Sequence, residues 1–235
     1  MKLLVVAAMH TEIEGLIFRL KAEKSGTLNS MDYYFREMNH AGIYLVQCGV
    51  GKVNAAAISQ HAITLFQPDL LIITGIAGSM HENNRIGDII IARELGYHDV
   101  SSGQMKHCFP YQVSFLPDEK AFKELDAMGQ EYEEGRVKSG KIVSGERFIK
   151  DPEEKRKIKE AHRPDCVDME SAAIAHTAFI NQVPFVCIRT ICDHANEDSL
   201  EDFSFFEKES ADLSASFTFE FIMRIIEKKS LQAST

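Results

Sequence analysis

No stretch of this chain approaches the roughly 18 consecutive apolar residues that a membrane-spanning helix needs, so no bilayer span is expected. No leader is expected either. Met1 and Lys2 run straight into a short apolar strand pattern, with no small-residue cleavage site behind a longer hydrophobic region. A cytoplasmic protein is the expectation. Basic charge is also short: 26 Lys and Arg stand against 35 Asp and Glu, a net charge of −9. Nucleic acid is therefore not an expected partner, because phosphate contacts need the opposite balance. The locally basic runs, Lys155–Lys159 and the C-terminal tail, read as solvated helix faces. The five cysteines (48, 108, 166, 187 and 192) form no CxxC and no finger spacing. Cys48, Cys187 and Cys192 lie in apolar strand contexts, where a reduced thiol behaves as a small hydrophobe. His98-Asp99 and Asp193-His194 are adjacent pairs with no third ligand at helical spacing, so neither metal nor other cofactor is expected. There is also no internal repeat and no low-complexity linker, which leaves one domain over residues 1–235.

What is present is apolar sequence in short runs, 45% of the chain, enough for a substantial core. Leu3–Ala8 reads as a strand, and Tyr33–Met38 with Ile43–Cys48 as a hairpin around Asn39-His40-Ala41-Gly42. Lys52–Phe66 reads as a helix, preceded by Gly49-Val50-Gly51. Asp69–Thr74 is a continuous apolar strand, the pattern of a strand covered on both faces. Ile89–Ala92 and Lys141–Val143 return to the sheet, and Val183–Cys192 is a buried strand. Helices are expected at Pro117–Met128, Asp151–Ala161, Glu170–Asn181 and Phe205–Lys228. In the last, Leu213, Phe217, Phe221 and Ile225 recur every fourth position as a core-facing stripe. Tyr97–Pro117 reads as a long irregular segment, and loops of that length more often carry function than idle connection. The fold class is α/β, one central mixed twisted sheet flanked by helices.

Two carboxylate motifs stand out against that background. Asp168-Met169-Glu170-Ser171 opens a helical run, and Ile191-Cys192-Asp193 ends a buried strand one element later. Open α/β sheets place their chemistry in the crevice at strand ends. The spacing can therefore set two carboxylates with different tasks at one pocket.

Further motifs follow one another along nearly the whole chain: Ala8-Met9 with Glu12, Gly49-Val50-Gly51-Lys52-Val53-Asn54-Ala55-Ala56, Thr74-Gly75-Ile76-Ala77-Gly78 and Gly87-Asp88-Ile89. Then come Tyr97-His98-Asp99, Ser144-Gly145-Glu146-Arg147-Phe148-Ile149, Val167-Asp168-Met169-Glu170 and Arg189-Thr190-Ile191-Cys192-Asp193. In this order they resemble the purine nucleoside phosphorylase/nucleosidase superfamily, most closely its bacterial 5′-methylthioadenosine/S-adenosylhomocysteine nucleosidases. The resemblance implies a nucleoside phosphorylase-like three-layer sandwich, a homodimer, and cleavage of the bond between adenine and a 5′-modified ribose. Adenine leaves reluctantly unless N7 is protonated, and Asp193 matches the family's acid. Such an acid must hold a proton near neutral pH, which burial or a neighbouring carboxylate arranges. Glu12 matches the residue that orients and deprotonates a water aimed at C1′. Glu170 matches the carboxylate on the ribose hydroxyls, with Met169 under the sugar. Phe148 matches the residue stacked on the purine, and Ile149 the one whose backbone reads the adenine edge. Met9, Val50 and Phe203 correspond to the apolar pocket around the 5′ group. Arg189 has two readings, a partner for Glu12 and the water or a buried pair with Glu170.

The expected nucleophile is water. The superfamily's phosphorylases use Arg for phosphate, whose geometry the guanidinium matches, in places where this chain has Met9-His10-Thr11-Glu12 and Ile73-Thr74. Three features depart from the family pattern. Ile76 stands where Ser is common, Cys192 replaces the Ser that often precedes the acid, and Tyr97–Pro117 lacks the usual continuation after Tyr-His-Asp. The altered loop opens a second reading, a futalosine or aminofutalosine hydrolase. A non-catalytic nucleoside-binding protein is a third, opposed by retention of Glu12, Glu170 and Asp193 together.

Overall fold

The computed structural model describes residues 1–233. The chain opens with β1 (Lys2–Ala7) and α1 (His10–Leu20). β2 (Glu23–Leu28), β3 (Met31–Met38) and β4 (Ala41–Gln47) follow as a meander. Asn39 and His40 make the expected hairpin turn with φ of 48° and 61°, the paired left-handed geometry of a tight two-residue loop. α2 (Lys52–Phe66) has the limits expected of it, and β5 (Leu70–Ser79) is buried at every position. Next come β6 (Ile89–Tyr97), α3 (Ser102–His107), β7 (Ser114–Phe115), α4 (Glu119–Gly129) and β8 (Val137–Ser144). The chain ends with α5 (Pro152–His162), β9 (Cys166–Asp168), α6 (Ser171–Ile180), β10 (Phe185–Asp193) and α7 (Ser199–Ala233).

The ten strands form one mixed sheet in the order β10-β6-β8-β9-β5-β1-β4-β3-β2, with β7 added beside β6. Because β10 also pairs with β5, the strands β5, β10, β6, β8 and β9 close into a ring, and β1, β4, β3 and β2 extend it on one side. β1, the parallel neighbour of both β4 and β5, shows how the layers arise. Its side chains alternate with the strand period of two: Leu4, Val6 and then Ala8 enter the core shared with α2 and α6. Leu3, Val5 and Ala7 enter the core shared with α1, α4 and α7. The result is the α/β sandwich expected from the sequence.

Some elements differ from expectation, each for a local reason. α1 is amphipathic, with Ile13, Leu16 and Leu20 buried and Phe18 exposed, but its 11 residues are interrupted by Gly15 and pass for a loop. Helices of that size draw their stability from a packed face rather than propensity. β2 reads Glu-Lys-Ser-Gly-Thr-Leu and is mostly exposed at the sheet edge, so it carries no apolar alternation. β5 runs through Gly75 and Gly78 instead of stopping at Thr74, because its neighbours β10 and β9 bond it as far as Ser79. In α7, Phe217 and Phe221 are buried, but Leu213 is 38% exposed. A strict four-residue step drifts around a 3.6-residue helix, and Ala215, Ile222 and Ile226 complete the buried face instead.

Candidate active site

The carboxyl ends of β1, β5, β9 and β10 converge on one cavity of about 290 Å³. Its walls include Met9, Glu12, Val50, Ile76, Phe148, Asp168, Met169, Glu170, Cys192, Asp193 and Phe203. Ile149 lines a small adjoining recess with Phe148, Met169 and Asp193. Phe148 and Phe203 meet edge to face, ring centres 5.7 Å apart. Val50, 47% exposed, stands towards solvent.

Glu12 owes its place to the start of α1. It is the third helical residue, and one carboxylate oxygen accepts the Ala8 and Met9 amides at 2.8 and 2.9 Å. This is the capping-box geometry that satisfies free donors at a helix N-terminus. The other oxygen accepts the Ile76 amide from β5 at 2.9 Å and faces Arg189 Nη1 at 3.3 Å. Burial pushes the Glu12 carboxyl above its ordinary range, against the pull of Arg189 and the three amides. Gly75 makes the arrangement possible: a Cβ there would lie 2.1 Å from Arg189 Nη1 and 2.2 Å from Glu12 Oε1.

Arg189, on β10, has no exposed surface and does not line the cavity. Its Nε lies 2.8 Å from Asp168 and donates to Ser171 Oγ at 2.9 Å. Nη2 is 3.9 Å from Glu170 and has no hydrogen-bond partner among the described residues. Arg189 therefore pairs most closely with Asp168 and Glu12, and Glu170 is the more distant carboxylate. Burial opposes its charge, but Asp168, Glu12 and Glu170 outweigh it and hold the guanidinium protonated.

Asp168 has a place in the sequence motif but no role assigned from sequence, and the structure makes it a hydrogen-bonding hub in the cavity wall. It accepts the hydroxyls of Ser144 and Ser171 and the Ser171 amide. The legible signal is a carboxylate at a strand's carboxyl end. Glu170 accepts the Gly51 amide at 2.8 Å, at the head of α2. Burial first, then the adjacent Asp168 charge, raise its pKa.

Asp193 is only 2% exposed. Its Oδ1 accepts the Ala195 amide at 2.8 Å, and Cys192 Sγ lies 3.1 Å from Oδ2. The thiol thus supplies a donor where the family pattern suggests a hydroxyl. Burial raises the Asp193 carboxyl above its ordinary value; the Ala195 amide, the Cys192 thiol and the Ser199 hydroxyl only partly offset it. Two buried carboxyls on one cavity wall, each raised by burial and each met by different donors, are an arrangement that can serve acid–base chemistry.

The Phosphorylase superfamily model matches residues 2–227. A 5′-methylthioadenosine/S-adenosylhomocysteine nucleosidase of Maridesulfovibrio salexigens is 33% identical over 208 residues, 84% of this chain and 88% of the relative. This chain belongs to the methylthioadenosine/S-adenosylhomocysteine nucleosidase family. Its fold agrees. The S-adenosylhomocysteine nucleosidase of Streptococcus pyogenes, in complex with 5-methylthiotubericidin, superposes with a TM-score of 0.88 and 29% identity over 94% of this chain and 96% of that one. The futalosine hydrolase of Helicobacter pylori has the same TM-score of 0.88 at 24% identity, over 95% of this chain and 97% of that one; it shares the fold. The sequence-predicted residues line this cavity or its adjoining recess, except Arg189, which lies just beneath. Among the described residues, no group of His, Cys, Asp and Glu is arranged to hold a metal ion, and no helix is long and apolar enough to cross a membrane.

Proposed function

We propose that this protein hydrolyses the N-glycosidic bond of 5′-modified adenosines, methylthioadenosine and S-adenosylhomocysteine, releasing adenine and a 5′-modified ribose. The observation that carries the reading is the cavity wall: among the described residues it holds Glu12, Asp168, Glu170 and Asp193 and no cationic side chain, with Arg147 lining only the adjoining recess. Phosphate entering such a site would meet carboxylates, whereas water would meet a base and an oxocarbenium-like sugar would meet stabilising charge.

In this reading Asp193 protonates the leaving adenine at N7. Glu12 orients a water on the opposite face of the sugar and takes its proton as the C1′–O bond forms. Glu170 holds the ribose hydroxyls with the oxygen not bonded to Gly51, and Met169 packs under the ring. Phe148 and Ile149 take the purine; Met9, Val50 and Phe203 enclose the 5′ group. Arg189 holds Glu12 from below. A cytoplasmic homodimer completes the proposal. Its support is the exposed Phe109, Tyr111 and Val113 of the 97–117 segment, an apolar patch that a second copy would cover.

The test is adenine release from methylthioadenosine, S-adenosylhomocysteine and aminofutalosine, with and without phosphate. Release from the first two that does not depend on phosphate supports the proposal. Release from aminofutalosine alone keeps the acid–base chemistry and moves the substrate. Release only with phosphate, or from none of the three, contradicts it.

A further inference from the structure

Tyr97-His98-Asp99 is a sequence motif to which the chemistry assigns no task, and it touches no wall of the catalytic cavity. While the Tyr97 side chain meets His176 and Phe115, the motif pairs residue by residue with Ser144-Gly145-Glu146, at the root of the loop that carries Phe148 and Ile149. The His98 amide donates to the Ser144 carbonyl at 3.1 Å. The His98 ring lies against Gly145, where an added Cβ would come within 2.1 Å of Nε2. The Glu146 amide donates to Asp99 Oδ2 at 2.9 Å.

The same carboxylate is clamped from the other side. Lys52 Nζ donates to both Asp99 oxygens, at 2.7 and 2.8 Å, and sits 5.3 Å over the Tyr97 ring. The Lys52 amide donates to Glu146 Oε1 at 2.9 Å, while the preceding Gly51 amide holds Glu170. The Lys52 and Asp99 side chains are only 19% and 29% exposed, so water screens the pair incompletely. Burial works against the Asp99 charge, yet the Lys52 and Glu146 hydrogen bonds outweigh it and keep the carboxyl below its usual range. One carboxylate thus ties the head of α2, which holds Glu170, to the loop that carries Phe148.

We propose that Asp99 and Lys52 are positioning residues that set the 145–149 loop against the head of α2, and so fix the purine end of the pocket relative to the ribose end. The inference rests on the nucleosidase reading for its assignment of those two ends. Neither residue touches the reacting atoms, so the effect falls on ground-state binding and spares the chemical step.

The experiment compares Lys52→Met and Asp99→Ala with the parent in the full chain, with Lys52→Arg and Asp99→Glu as conservative variants. KM for methylthioadenosine should rise roughly tenfold in the first two, the scale of one lost charge-assisted hydrogen bond, with kcat within about threefold. The conservative variants should recover most of the loss. Hydrogen exchange read without substrate should accelerate across 145–149 in Lys52→Met, which leaves the Glu146 acceptor in place, while β6 stays protected. Unchanged KM in both truncations, or unchanged exchange across 145–149, would overturn the proposal. So would a loss of kcat that tracks the folded fraction. If exchange accelerates but the parent cleaves no nucleoside, the hydrolase reading fails and the loop-setting role stands.

Discussion

Glu12 and Asp193 are the same functional group, sealed into the same cavity at 1% and 2% exposure, and their surroundings differ. Glu12 meets a guanidinium and three backbone amides. Asp193 meets one amide, a thiol and a hydroxyl, with no ion pair to it among the described residues. Burial raises both carboxyls, so each works nearer neutral pH than a free carboxylate would. A charged neighbour then divides the work. Both carboxyls accept three donors, but a cation favours the ionised form on the Glu12 side, where the proposed mechanism needs a base, and no such ion pair acts on the Asp193 side among the described residues. In the proposed mechanism the ends of β1 and β10 supply the two positions, and the neighbours supply the two roles.

The sharpest way to break this contrast is Asp193→Asn. Turnover of methylthioadenosine should fall by about 10²–10⁴-fold, the usual worth of one positioned acid, with nucleoside affinity retained. Parental turnover would remove Asp193 from the mechanism. Next in size is Arg189→Met, which leaves Glu12, Asp168 and Glu170 buried around a vanished charge. A loss of about 3–5 kcal/mol in denaturant unfolding is expected, the cost of orphaning a buried ion pair. An unchanged midpoint would show that Arg189 does not hold these carboxylates together. The smallest effect tests the Cys192 donor. A serine hydroxyl is the stronger donor to a carboxylate, so Cys192→Ser should favour ionised Asp193 and move the alkaline limb of the kcat profile down, by no more than about one pH unit. Cys192→Ala should move it up. Shifts in the same direction would mean that the thiol acts by packing alone.

The same division runs through what the sequence made readable. Glu12, Glu170 and Asp193 could be named from the chain because the motifs around them match the nucleosidase family in order; the resemblance, not the strand pattern, supplied their proposed roles. Arg189 could be named but not placed. Its choice of Asp168 and Glu12 over Glu170 depends on β5, β9 and β10 meeting in one ring, a relation between distant segments. Asp168 escaped a role for the same reason, since its Ser144 partner comes from another strand. α2 was legible because its alanines and the glycines before it mark both body and start. α1 was not, since only its packing against α7 shows that its sparse apolar residues form a face. Inside Tyr97–Pro117, α3 buries none of its residues and β7 is two residues long, so neither leaves a period to read.

The division of labour itself is tested most directly by the pH dependence of kcat at saturating methylthioadenosine, in the parent and in Glu12→Gln and Asp193→Asn. The acid must hold its proton, so the rate should fall as pH rises through the raised Asp193 pKa. The base must have lost its proton, so the rate should also fall as pH drops through the Glu12 pKa. A bell gives the two values without saying which group owns which, and the variants assign them. The account predicts that residual turnover of Glu12→Gln loses the acidic limb and that of Asp193→Asn loses the alkaline limb. Exchanged limbs, or a bell that survives in both variants, would contradict it.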